Sequence, residues 1–335
     1  MSNNDYTSGM NDTYGDNSKA QSLCHLEAKD MIIESVKNYL KSYNGEEFII
    51  GVFGCGPGDN DLICIKDYIL PLLVNKIKKI VIYMIDVSES KWSRNKIIID
   101  NELEIHGLES DIYRNIFPND TFDMILSFSC LHWIKNLPFE SDEIIKNYSW
   151  SSLNEEKKIK LNDYMNESLK LFLDYRKKEL KENGIGVLTF DAMIDNELHQ
   201  YQGPTDILVK AIRELGNDKR ILFDNFFVPT APRYLEDVND LLSNNFKTTD
   251  LLIKNIKCPI WDNKTKQIYN NDEYAKLIVD SIMSCVLPLI KDTIQIDNFN
   301  DLINEIEDKM ISIIVNDINK KTSTSGNVMF LCITK

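Results

Sequence analysis

The residues from Ile49 to Asp61, "IIGVFGCGPGDND", are an apolar run that ends in three glycines. Gly54, Gly56 and Gly58 make the pattern GxGxG. A loop this free, placed after a strand, lets main chain come close to a nucleotide-like ligand. The dinucleotide fingerprint GxGxxG needs glycine at 59, where Asp59 stands. Asp86, the acid that ends the next apolar run, lies 32 residues beyond Gly54 (86 − 54). A dinucleotide fold places its ribose-binding acid only about 20 residues on. GxGxG with an acid at the end of the second strand better suits S-adenosylmethionine. That cofactor has no pyrophosphate, and Asp86 would accept from its two ribose hydroxyls. A tight turn, with Asp86 capping the next helix, explains the same residues, and the glycine motif alone does not separate the two.

A second cluster is "SFSCLHWIKNLP", 127–138. It begins where a further strand is expected to end, so His132 and Trp133 leave the sheet where a ligand would lie. For an isolated His–Trp pair, a core tryptophan behind a capping serine is the better account. Position and surroundings decide here. The other histidines carry less: His25 and His199 read as surface or helix residues, and His106 as part of a polar turn with Gly107. No His/Cys cluster has zinc spacing. The lysine-rich 154–163 has balanced charge and reads as a solvated helix face.

The elements that must position these clusters alternate. "EFIIGVF" (47–53), "KIVIYMID" (79–86) and "FDMILSF" (122–128) are near-continuous apolar runs, as expected of strands buried on both faces. "DLICIKDYILPLLVNKI" between the first two has helical spacing despite Pro71. Strand, helix, strand predicts a parallel α/β unit. "GIGVLTFDA" (184–192) follows a long amphipathic helix expected to end near Lys181, with Asn183 and Gly184 as stop signals. Residues 140–180 and 259–321 read as helical. "FKTTDLLIKNI" (246–256) and "NVMFLCITK" (327–335) read as strands returning to the sheet. The sum is an α/β core interrupted by helical insertions, which would roof the ligand crevice at the strands' C-terminal edge.

Length and charge bound the function. The chain has 335 residues, 43% of them apolar, enough for one large core with an attached subdomain. A net charge of −14 repels phosphate backbones, so no nucleic-acid partner is expected. Seven scattered cysteines without a CxxC pair, and a polar start without a leader-like segment, point to a reduced, cytoplasmic protein. Ser2 stands where N-myristoylation needs glycine. The longest apolar stretch, Leu277 to Ile290, is broken by Asp280 and Pro288, so no membrane span is expected.

Taken in order, these segments resemble the SABATH family, methyltransferases acting on small carboxylic acids and, in some members, purine-alkaloid nitrogens. "GMNDTYGDNSKAQ" (9–21) is similar to its N-terminal segment, "GCGPGDN" to its glycine loop and "IDVSES" to its ribose-acid strand. "IFPNDTFDMILSFSCLHWIKNLP" is the most specific match. "LKLFLDYRKKELKENGIGVLTF" and "FDNFFVPTAPRYLEDV" resemble later signatures, so the likeness covers almost the whole chain. It implies a class I methyltransferase fold, a Rossmann-like seven-stranded sheet whose last strand is antiparallel, with an inserted α-helical cap. It implies S-adenosylmethionine as cofactor. Tyr14, Ser18, the three glycines, Asn60, Asp86 and Val87 would contact it. Asp111 and Ile112 would hold the adenine, and Ser127 and Phe128 would close the pocket. Gln21, Ser129, His132 and Trp133 would face the acceptor, with Gln21, His132 and Trp133 carrying the catalysis.

A carboxylate acceptor arrives ionised, with a pKa of about 4, and needs orientation rather than a base. The Trp133 indole only donates and the Gln21 amide can donate, so each can bind one carboxylate oxygen. Two departures stand out. Val52 occupies the place of an acid before the loop, a role Asp59 or Asp61 could take over, and Ser129 replaces a tyrosine, enlarging the acceptor pocket. Some members carry a magnesium site. Asp224, Phe226 through its carbonyl, and Asn147 match that region, but Phe227 replaces an asparagine and hard cations want several oxygens, so a plain loop acid is the stronger reading. The expected core is 1–139 with 180–198, 240–258 and 322–335. The expected cap is 140–179, 199–239 and 259–321. The reading is a small-molecule carboxyl O-methyltransferase whose partner is its acid substrate, with a homodimer compatible. Its rivals are an N-methyltransferase of a heterocycle and a cofactor-binding protein without turnover.

Overall fold

A computed structural model of the chain describes residues 17–87, 103–194, 202–243, 246–257, 260, 266–316 and 326–335. Strands β1 (Glu47–Phe53), β2 (Lys79–Asp86), β3 (Leu103–Glu109), β4 (Phe122–Phe128) and β5 (Leu180–Met193) run parallel in the order β3-β2-β1-β4-β5. A two-residue strand, β6 (Arg233–Tyr234), pairs with the far end of β5. β7 (Lys247–Ile256) and β8 (Gly326–Thr334) complete the sheet, with β8 antiparallel between β5 and β7. The seven-stranded path with an antiparallel last strand is the arrangement the resemblance implies.

The three apolar runs are β1, β2 and β4 with the expected bounds, because both their faces are covered. β3 differs from the expectation. His106 and Gly107 lie within it, not in a turn, and His106 stacks on Tyr83 of β2, with ring centroids 5.1 Å apart. An edge strand with half-exposed and exposed residues carries no continuous apolar run, so its sequence resembles a loop.

Two helices, α1 (Lys19–Glu27) and α2 (Lys29–Tyr39), precede β1. After the glycine loop, α3 (Asp59–Cys64) continues through a π-helical turn, Ile65–Ile69, into Leu70–Leu73. Pro71 lacks an N–H and crowds the preceding turn, and the wider π turn accommodates it. The long helix α4 (Glu155–Glu179) starts at Asn154, whose side chain accepts from the Lys157 N–H at 3.0 Å. It ends at Glu179, two residues before the expected stop, because Leu180 is drawn into register with Phe122. Asn183, at φ 61°, sits with Gly184 in a bulge between the pairs Phe122↔Leu180 and Met124↔Ile185. The two residues read as a helix stop are thus a strand irregularity.

Helices α5 (Gln202–Arg213), α6 (Leu235–Ser243), α7 (Asn271–Thr293) and α8 (Phe299–Asn316) follow. A reciprocal cap between Asn270 and Glu273 opens α7. The apolar faces of α5, α7 and α8 make one cluster around Leu208, Ile278, Ile306 and Met310. Helices α4 and α6 behave differently. Leu169, Phe172 and Leu173 of α4, and Val238 and Leu242 of α6, pack on the sheet with Phe53 and Phe122. Only the first half of α4, with Leu161 and Met165, joins a separate small cluster with Ile134 and Trp150. No helix among the described residues is long and apolar enough to cross a membrane.

Candidate active site

At the C-terminal edge of the parallel strands lies a cleft with a largely apolar wall and a few convergent polar groups, the form of a small-molecule site. The loop after β1 forms its floor. Gly54, Gly56 and Gly58 all take positive φ, and a Cβ on Gly54 would lie 2.0 Å from the Cys130 sulfur. Asp86 braces the loop from the end of β2: its Oδ2 accepts from the Gly56 N–H at 2.6 Å and its Oδ1 from the Val87 N–H at 2.7 Å. Burial raises this carboxyl above its usual range, against the pull of those two donors. Each oxygen keeps a further lone pair for a hydroxyl donor.

Asp111 and Ile112 stand on the cleft wall. Asp111 Oδ2 pairs with the Lys135 ammonium at 2.8 Å, and its Oδ1 accepts from the Tyr113 N–H at 2.9 Å. Burial pushes this carboxyl up, but Lys135 and the N–H outweigh it and hold it below the ordinary range. Ser18, Asn60, Val87 and Phe128 complete the wall. The structure therefore brings together every described residue expected at the cofactor except Ser127, which is fully buried and does not reach the wall. Tyr14 lies outside the described residues.

Beside the cleft is a second cavity, lined by residues of α5, α7 and the 228–230 segment. Its wall is largely apolar, with Leu208, Val228, Ile282 and Val286, and Thr205, Thr230 and Ser281 as polar points. Gln21 and Trp133 line both cavities. They form the partition between them.

The backbone around Trp133 is held from the segment 229–233. Ile134 N–H donates to the Pro229 carbonyl at 2.8 Å, Ala231 N–H to the His132 carbonyl at 3.1 Å, and Trp133 bridges to Thr230. The Arg233 guanidinium, 1% exposed, donates twice to the Leu131 carbonyl, at 3.1 and 2.6 Å, and once to that of Met165. Burial pushes this cation down to about 10, so it keeps its charge at neutral pH. The family-like "PTAPR" stretch is the strut of the His–Trp loop.

Residues 81–335 match the family described as SAM dependent carboxyl methyltransferase. The chain belongs to that family. S-adenosylmethionine is the family's cofactor, and the glycine floor, the Asp86 carboxylate with spare lone pairs, and the apolar Ile112 and Phe128 fit it. Curated relatives include "Methyltransferase FUS9" of Gibberella fujikuroi (strain CBS 195.34 / IMI 58289 / NRRL A-6831), 22% identical over 194 residues. A salicylate/benzoate carboxyl methyltransferase of Arabidopsis thaliana is 23% identical over 199 residues. These matches cover 55% and 53% of this chain, and the chain spans about half, 52%, of the length of each relative. A solved loganic acid methyltransferase with SAH superposes with a TM-score of 0.76, over 100% of this chain and 98% of that one. At 17% identity, that likeness shows the fold.

Within this family fold, two expected residues, Ser129 and His132, sit elsewhere than their roles suggest. Ser129, expected on the acceptor side, lines the cofactor-side cleft only, at φ 49° where the chain turns off β4. His132 is fully buried and lines neither cavity; its ring lies 6.1 Å from that of Trp133. Val52 is likewise fully buried in the core, away from the cleft. The magnesium region also differs. The segments 146–148 and 224–228 do meet, but the Asn147 amide donates to the Glu143 and Ile145 carbonyls. Asp224 is a single carboxylate, and no metal-holding group of His, Cys, Asp or Glu occurs among the described residues. This donor set does not fit a tightly held hard cation.

Sequence reasoning missed His25 and Lys135 at the cleft. His25 is not a surface residue: it is 6% exposed and faces Asp61. Its place four residues after Gln21, on the same side of a helix, was the available signal. Lys135, two residues after Trp133, carried none. The chamber wall from α5 and α7 was legible only as amphipathic helices. The thiols at the two cavities stay protonated: burial raises Cys55 and Cys130, and pushes Cys285 up to about 12.

Proposed function

We propose that the chain methylates the carboxylate oxygen of a small organic acid, giving a methyl ester. One observation carries this reading: the side chains common to the two cavities are Gln21 and Trp133, the two donors a carboxylate would need. The bound cofactor supplies an electrophilic methyl group on a sulfonium. This chain's residues do the rest by placement. Asp86 accepts from the ribose hydroxyls. Asp111 and Ile112 hold the adenine, and Phe128 closes the pocket. Gln21 and Trp133 each donate to one carboxylate oxygen and hold the acid in line. Proximity and orientation can supply ~7–11 kcal/mol in such an arrangement. No base is required, because the acid is already ionised. His132 sets the tryptophan from behind.

The apolar chamber favours an acid with a compact apolar body, in keeping with the salicylate/benzoate named for one relative. A heterocyclic nitrogen would rely more on His132, which lines neither cavity. Helices α5 and α7 act as the cap over the acceptor. The six described cysteines are free, which supports a cytoplasmic setting. A homodimer is compatible with this reading, and sedimentation tests it.

The test is turnover on a panel of small acids, with two variants. Trp133→Phe keeps most of the ring and deletes the N–H; Gln21→Ala deletes the amide. Each should lower kcat/KM roughly ten- to 150-fold, the worth of one hydrogen bond to a charged group. Wild-type kcat/KM in Trp133→Phe removes the clamp. Cofactor binding without turnover of any acid favours the inactive reading.

A further inference from the structure

The cleft contains a buried pair that methyl transfer, as described, does not use. His25 and Asp61 are 6% and 5% exposed, and both line the cleft. The His25 Nε2 lies 3.1 Å from Asp61 Oδ1, and its Nδ1 lies 3.0 Å from the main-chain oxygen of Gln21, one turn back. Both neighbours are acceptors. A ring with a proton on each nitrogen donates to both at once, whereas a ring with one proton leaves an oxygen facing a lone pair. The ring also stacks on Phe128, with centroids 4.1 Å apart and planes 26° apart. One imidazole thus joins α1, the first turn of α3 and the end of β4.

A second tie runs beside it. The Asn60 amide donates to the Ser18 hydroxyl oxygen at 2.8 Å. Gln21 and His25, four residues apart, share one side of α1, and Ser18 stands at its N-terminus. Ser18 and His25 are fastened to consecutive residues of α3, Asn60 and Asp61. Gln21 stands between them and faces both cavities. A buried polar pair adds little net stability over an apolar contact of the same size, but it admits fewer geometries. Geometry is what a donor on this partition needs, since a displacement of about 1 Å can cost about 100-fold in rate.

We propose that His25 and Asp61 are a positioning pair: they lock α1 onto the helix that follows the glycine loop, and so set Gln21 on the partition between cofactor and acid. The pair rests on the reading of the two cavities given above. It makes the acceptor clamp depend on the shape of the cofactor loop. The loop, α3, the imidazole and Gln21 form one connected path.

The test compares His25→Ala with His25→Gln, whose amide can still donate to Asp61. On the best acid found, His25→Ala should raise the KM for the acid about tenfold or more, the lower end for a lost charged hydrogen bond. The KM for the cofactor should rise several-fold less, and His25→Gln should recover most of the acid KM. Equal losses for both ligands, or a wild-type acid KM, would overturn the proposal. Hydrogen exchange on the ligand-free protein gives a readout without turnover. Exchange over 19–27 should speed up in His25→Ala while 29–39 stays as in wild type, and S-adenosylhomocysteine should slow 19–27 more in wild type than in the variant. Unchanged exchange over 19–27 sinks the tie. If no acid is turned over, the functional reading fails while this measurement still decides the pair. Should His25→Ala not fold, Asp61→Asn, which keeps an acceptor oxygen without the charge, is read in the same two ways, and a smaller change in the same direction is expected.

Discussion

Asp86 concentrates the residue-scale chemistry of the cleft. Both its oxygens already accept a backbone N–H, and burial still holds the carboxyl above its usual range. In the empty protein the ionised form is the costly one. That penalty is absent below the unfolded-state value and complete above the folded one. Hydroxyls donating to the ionised carboxylate reverse the preference, so ligand binding favours loss of the proton. The rise in Tm given by S-adenosylhomocysteine should therefore shrink as the pH falls from neutral towards the carboxylate range. Asp86→Asn should bind roughly ten- to 150-fold more weakly at neutral pH and lose that dependence. A ligand-induced Tm shift that ignores pH in the wild type would take Asp86 out of the ribose site.

Elements hold these residues through a few buried ions. The Arg176 guanidinium, near the end of α4, donates to the Ile112 and Arg114 carbonyls, both at 2.8 Å, and to Glu179 Oε1 at 2.9 Å. That oxygen also accepts from the Ile116 and Phe117 N–H groups, at 2.8 and 3.1 Å. The guanidinium lies 4.1 Å from the centre of the Phe53 ring. The loop 111–117, which carries Asp111 and Ile112, is thereby stitched to α4 and to the end of β1. Both ions are essentially unexposed, at 1% and 0%. Removing one strands the other, so Arg176→Met should cost about 3–5 kcal/mol in urea unfolding. Surviving folded protein should bind S-adenosylhomocysteine more weakly. A loss below about 1 kcal/mol would mean that the loop is held by its apolar contacts alone.

The molecule as a whole divides between a sheet whose C-terminal edge carries the glycine-loop cleft and helices that wall the second cavity, the proposed acceptor chamber. Among the described residues, α5 and α7 line the chamber and α4 and α8 do not. A roof that closes excludes water from the transfer. Hydrogen exchange should slow over 202–213 and 271–293 when S-adenosylhomocysteine and an acid are both bound. Protection confined to 54–60 and 111–135 would leave those helices a purely structural part. Thiol chemistry is a second property of the whole chain. Six of the seven cysteines are described and free. Titration of unfolded protein prepared without reductant should count close to seven thiols, and a count near one would reveal three disulfides.

Strands β1, β2 and β4, the glycine loop and Asp86 were legible in the sequence because each obeys a local rule. Strands covered on both faces are continuously apolar, tight turns need glycine, and ligand acids end strands. The long helices were legible by their period. Edge strand β3 was not, because exposure removes the pattern, and the Asn183 bulge was not, because register belongs to a pair of strands. His25 shows the same limit at the site. Its type and helical place were visible, but its burial was not, because Asp61 is 36 residues away in the chain. Only the folded molecule could show that Gln21 and Trp133 form one partition. They lie on elements far apart in sequence, and what brings them together is the docking of α1 on α3 and of the His–Trp loop on residues 229–233. Local rules fix which residues can do the chemistry, and long-range packing fixes which of them meet.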